Sequence, residues 1–153
     1  MFLYKNGRFY AGPFSFALPE GFYLDNESPD AFYNTVMFFS PDHTFLVHMT
    51  IETATMDAHA AAENDLDECD PEEILQTVTP ITHPLPGYEV SYRSDYSYEN
   101  RNQYYSAHFD GGDGQAQESC TVYVTSSVPI DQVLSHPGFQ ALFASIRLEP
   151  QEA

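Results

Sequence analysis

Apolar and polar residues alternate along most of the chain, and the alternation predicts strands in most places. Phe14, Phe16 and Leu18 mark one face of an early strand, which ends at Pro19-Glu20-Gly21, residues suited to a turn. Ahead of it, Asn6-Gly7 separates Phe2-Leu3-Tyr4 from Phe9-Tyr10. Both turn residues tolerate the positive φ angles of a type I′ turn, so Phe2–Tyr10 is expected to form a short hairpin. Ala31 to Phe39 is apolar and rich in strand-forming residues, and Ser40-Pro41-Asp42-His43 is a turn. Phe45 to Thr53 then sets Phe45, Val47, Met49 and Ile51 against Leu46, His48, Thr50 and Glu52, the pattern of a hairpin with one buried face.

The period changes in the middle. Ala58, Ala61, Ala62 and Leu66 are spaced for one stripe of a helix. Asp70-Pro71-Glu72-Glu73 reads as a second helix start, with Asp as N-cap, Pro at the first helical position and Glu three residues after the cap. Ile74, Leu75 and Val78 would supply its buried side. Beyond Pro80–Gly87 the period of two returns: Tyr88, Val90, Tyr92, Ser94, Tyr96 and Tyr98 fall on one face, and Glu89, Ser91, Arg93, Asp95, Ser97 and Glu99 on the other. Tyr104–Phe109 and Ser119–Thr125 are two further strands around a Gly-rich turn, and Ile130–Leu134 and Pro137–Ala144 read as helical. Strand runs separated by segregated helices imply an α+β fold with an antiparallel sheet flanked by helices.

Composition narrows the classes. At 153 residues the chain fits one domain, and 42% hydrophobic content allows a core without disulfides. The 12 Phe and 11 Tyr argue against disorder. Asp and Glu number 23 against 5 Lys and Arg, a formal net charge of −18. Such a chain repels nucleic acid and anionic membranes, whose binding needs basic groups. No apolar stretch approaches 18 residues and Met1–Tyr10 lacks a signal-peptide pattern, so the expected compartment is the cytoplasm.

The layout resembles the PsbP-like superfamily, with its DcrB-like and related bacterial branches. The resemblance is carried by the opening Phe14-Ser-Phe-Ala-Leu-Pro-Glu-Gly-Phe-Tyr23, the paired strands after it, the central helix, and the close Phe139-Gln-Ala-Leu-Phe-Ala-Ser-Ile-Arg-Leu148. It spans most of the chain and rests on pattern and order. It implies an α/β/α sandwich around a curved antiparallel sheet and a binding or assembly role, since that superfamily is largely non-enzymatic. It carries over no catalytic residue.

Glu63, Asp65, Asp67, Glu68, Asp70, Glu72 and Glu73 put seven acids into eleven residues, inside a stretch from Phe9 through Tyr92 without Lys or Arg. The run is either a docking face for a basic protein or a solvated helix face with acids near a helix start. Asp65-x-Asp67-x-x-Asp70 and Asp110-Gly-Gly-Asp113-Gly offer oxygen ligands, but neither fits a calcium loop of the EF-hand type. The histidines His43, His48, His59, His83, His108 and His136 are scattered; His48 and His108 lie in strands, and no His-Glu-x-x-His occurs. There is no nucleophile elbow and no P-loop. Cys120 sits in an apolar alternation and Cys69 among acids, which raise a thiol pKa; a disulfide and two thiols both remain open. No metal or other cofactor is expected.

Two functional classes follow. The first is a non-enzymatic protein-binding or accessory module, its partner a protein of basic character, docking through the acidic run, Tyr92 and Tyr96. The second is a small-molecule binder or unrecognised enzyme with a pocket on the Tyr-rich sheet face. A homo-oligomer that pairs the Tyr-rich strands also remains open.

Overall fold

The computed structural model describes residues 2–25, 34–98, 101–111 and 118–150, with backbone alone for 95–98. Along the chain run β1 (Leu3–Lys5), β2 (Arg8–Ala11), β3 (Phe14–Ala17), β4 (Tyr23–Asp25), β5 (Thr35–Phe39), β6 (Phe45–Thr53), α1 (Ala58–Leu66), β7 (Ile74–Ile81), β8 (Gly87–Tyr98), β9 (Arg101–Asp110), β10 (Glu118–Ser126), α2 (Ile130–Leu134), α3 (Pro137–Ala144) and β11 (Arg147–Leu148). The fold is α+β, dominated by two antiparallel sheets, one ordered β1-β2-β3-β11 and the other β4-β5-β6-β10-β9-β8-β7.

Local signals built the first hairpins. Asn6 and Gly7 take φ of 54° and 79°, and β1 pairs with β2 across them. Phe14 and Phe16 of β3 are fully buried, as are Val36 and Phe38 of β5 and Val47 and Met49 of β6. Rings of the small sheet meet the large one directly: Phe9 and Phe16 lie 5.9 and 6.0 Å from Phe38. On the same side, Phe139 and Phe143 of α3 pack on Tyr105 and Phe109 of β9. This shared core holds the two sheets and α2–α3 together.

The opposite face of the large sheet receives α1, which packs over β7, β8 and β9. Ala58 and Ala62 are its buried residues, with Ala61 and Leu66 half-buried beside them. The stripe expected for this helix therefore holds. The expectation of one sheet flanked by helices is met in part: α1 covers one face, whereas a second sheet joins α2 and α3 on the other.

The second helix start is a correction. Glu73 reaches back as expected, its Oε1 accepting from the Asp70 N–H at 2.9 Å, but only a 3-10 turn over Pro71–Glu73 follows. The chain then enters β7, an edge strand paired with β8. Ile74, Thr77, Val78, Thr79 and Ile81 are β-branched and suit a pleated surface. Pro80 is tolerated because the strand is at an edge. Leu75, expected on a buried helix side, is about half exposed (49%). Among the described residues no helix is long and apolar enough to cross a membrane.

Candidate functional site

Strand register decides which side chains share the α1 face. His108 of β9 lies across from Thr121 of β10, and Thr121 from Thr50 of β6. One row over, Ser106 lies across from Tyr123, and Tyr123 from His48. The next row brings Tyr92 of β8 across from Tyr104. A hydrogen-bonded chain runs through the first row. His108 Nδ1 is 3.1 Å from Thr121 Oγ1, and His108 Nε2 is 2.6 Å from Asp65 Oδ2 on α1. An ionised carboxylate only accepts, so Nε2 donates to Asp65; in a neutral ring that leaves Nδ1 to accept from the Thr121 hydroxyl. His108 is buried (7% exposed), while Asp65 keeps contact with solvent.

This chain forms the inner end of a groove of about 390 Å³ between α1 and strands β6 and β10. Thr50, Glu52, Asn64, Asp65, Ser119 and Thr121 give it polar walls, and Met56, Ala58 and Ala61 give it apolar ones. Among the described residues no Lys or Arg lines it. The small side chains of Ala58 and Ala61 keep helix and sheet close without filling the opening. Two aspartates hold the start of the helix: Asp57 Oδ1 accepts from Ala60 N at 2.8 Å, and Asp110 Oδ1 from Ala58 N at 3.0 Å. Asp110, considered above as a cation ligand, is thus a helix cap.

Nucleophile, base and orienting acid recur in this order in acyl-transfer enzymes. Here Thr121 lies inside a strand paired on both sides, so the neighbouring backbone N–H groups belong to the ladders. An oxyanion needs convergent donors that are not already engaged. The arrangement can orient a polar ligand and relay a proton.

Of the acidic run, Asp65 alone lines this groove; the rest lies on α1 and on the segment from α1 to β7. Glu63, Asp67, Glu68, Asp70 and Glu72 are exposed, whereas Glu73 is half-buried and Asp65 turns inward. Glu63 pairs with His59 one helical turn away, and both remain exposed. Of the tyrosines expected on the sheet face, Tyr92 is half-buried and stacks on Tyr104 at 5.1 Å; the side chain of Tyr96 lies outside the described residues. Tyr104 in turn stacks toward Tyr123, and His48 meets Tyr123 edge-on. Burial, and then Tyr123 beside it, pushes the Tyr92 phenol far above its ordinary value. Burial also holds His48 below the usual histidine value, opposed by Asp25. Ser106 is buried on this face with its hydroxyl unpartnered among the described residues.

Neither cysteine is placed for nucleophilic work. Both are free thiols. Burial pushes Cys120 up to about 12, and burial with Glu73 and Asp65 raises Cys69. His48 and His108 share the face, but β10 stands between them. Among the described residues no group of three or more His, Cys, Asp or Glu is placed to hold a metal ion. Sequence reading missed the Asp65–His108–Thr121 chain; the alternation in β9 and β10 put His108 and Thr121 in strands, but their pairing is a matter of register. Compared with models of known families and with curated proteins, the chain matches none.

Proposed function

We propose that this protein is a binding module for a basic protein segment, whose cationic side chain enters the groove between α1 and the sheet. The observation that carries the reading is the lining of that groove: Glu52 and Asp65 supply negative charge, Thr50, Asn64 and Ser119 supply further acceptors, and no Lys or Arg competes. The five exposed acids of the run Glu63–Glu73, on α1 and the segment that leads from it to β7, add negative charge to the same face of the sheet. A cleft of one sign concentrates ligands of the other. The resemblance of the sequence layout to the largely non-enzymatic PsbP-like superfamily favours binding over catalysis.

The test is a titration with a short Lys-containing peptide, followed by NMR at about 150 mM salt, where the screening length is about 8 Å. Saturable shifts at Thr50, His108 and Thr121, weakened by Asp65→Asn and Glu52→Gln but not by Glu20→Gln, are the expected result. Shifts confined to the outer acids, or insensitive to Asp65→Asn, would refute the groove. Blocked lysine alone binding as tightly as the peptide would favour a small-molecule ligand over a protein.

A further inference from the structure

Hydrogen bonds around the groove under α1 decide which way its hydroxyls face. Thr50 of β6 and Thr121 of β10 are cross-strand neighbours that line it, both half-buried. A hydroxyl has one proton to give and two lone pairs with which to accept. Thr35, across from Thr50 on β5, gives its proton to Asn34 Oδ1 at 3.2 Å. The bond between Thr35 Oγ1 and Thr50 Oγ1, at 3.0 Å, therefore takes its proton from Thr50. Thr121 spends its own on His108 Nδ1, at 3.1 Å, because the proton of the neutral ring sits on Nε2 toward Asp65. Neither threonine has a proton left for a ligand, and both offer one their lone pairs.

Side chains directly opposite each other on antiparallel strands have Cβ atoms about 4.5–5.5 Å apart. The two hydroxyl oxygens are thus close enough to bracket one small donor group. Asp65 joins them through His108, and its carboxylate has acceptor capacity beyond the bond to Nε2. A primary ammonium brings three N–H donors, which two hydroxyl oxygens and a carboxylate can satisfy. A quaternary ammonium carries the same charge with no N–H, and it is held best by aromatic faces. Among the described residues no Phe, Tyr or Trp lines this groove. Met56, Ala58 and Ala61 instead form an apolar wall suited to the methylenes of a lysine stem.

We propose that the groove selects a primary ammonium over a quaternary one, and that His108 is a positioning residue for this selection because it holds Thr121 as an acceptor. The selectivity rests on the cation-binding role proposed above and adds that the number of N–H donors, not charge alone, decides what binds.

The probes are three peptides of one sequence that differ at a single lysine: unmodified, monomethylated and trimethylated. Their charge is the same, and their side-chain nitrogens carry three, two and no N–H donors. Affinities are measured by calorimetry at about 150 mM salt and about pH 8, where histidine is ordinarily neutral. Affinity should fall in that order, by about tenfold from the first peptide to the last, because acceptors left unpaired disfavour the methylated ligand. Thr121→Val keeps a β-branched side chain in the strand and removes the acceptor. It should weaken the unmodified peptide several-fold and leave the trimethylated one unchanged, so that the ratio shrinks; Thr50→Val is the parallel variant. Imidazole nitrogen spectra of the free protein should place the His108 proton on Nε2 and leave Nδ1 bare. Equal affinity across the three peptides, a ratio unaltered in both variants, or a proton on Nδ1 would each overturn this selectivity while leaving a groove that recognises charge. If no peptide binds, the cation-binding role falls with it.

Discussion

Two His–carboxylate pairs, one between α1 and β9 and one within α1, differ in burial, and that difference makes a quantitative prediction. His108 and Asp65 meet at 2.6 Å with His108 buried, whereas His59 and Glu63 form an exposed pair one turn apart. Replacing Asp65 with Ala removes a hydrogen bond to a charged acceptor, a class that contributes about 1.5–3 kcal/mol. Solvent around the partly exposed carboxylate screens part of the gain, which puts the loss at about 2 kcal/mol. For a chain of this length that lowers Tm by about 4–8 °C. Asn retains an acceptor, so Asp65→Asn should cost about half as much. Glu63→Ala, the control, should change stability by less than about 0.5 kcal/mol. Urea unfolding of wild type, Asp65→Ala, His108→Ala and the double variant measures the coupling directly, with about 1–2 kcal/mol expected. A coupling below about 0.5 kcal/mol, or a Glu63 effect equal to that of Asp65, would show that the buried pair does not hold α1 to the sheet.

Two further outcomes can be measured in the same assay. Because the fold depresses the pKa of His48, the unfolded state binds more protons between the folded value and the ordinary 6.5. The stability from keeping His48 neutral is therefore complete above about pH 6.5 and is lost as pH falls through that window; His48→Gln should flatten this part of the urea-midpoint profile, and parallel profiles would contradict it. Gly87 has ordinary φ, but a Cβ there would overlap the His108 carbonyl oxygen and the Phe109 ring. Gly87→Ala should thus be more damaging than Gly7→Ala, where only positive φ is at stake at about 1 kcal/mol, and equal Tm losses would argue against the close approach.

The sequence by itself determined the local hairpins and the helix stripe. Asn6-Gly7 forms its turn because two adjacent residues accept positive φ, and no distant contact is needed. Phe45, Val47, Met49 and Ile51 are buried in alternation because a pleated strand sends successive side chains to opposite faces. The Ala58–Leu66 stripe is legible for the same local reason at helical period. Tertiary structure decided the rest. Ile74–Ile81 follows a good helix start, yet an open edge of β8 and its own β-branched residues draw it into the sheet. In β8 the alternation gathers Glu89 and Ser91 on a polar side, which ordinarily faces solvent. It faces the core side instead, where Tyr105 and Gln76 donate to Glu89. A period of two tells which residues share a face and not what covers that face. The groove depended on still more distant relations. Asp65, His108 and Thr121 belong to a helix and two strands, and only the register of β9 on β10 and the seating of α1 over both bring them within hydrogen-bond reach. The acidity was plain in the composition; that Asp65 turns inward while its neighbours face water was settled by packing, because only that position of the run looks down on a buried histidine.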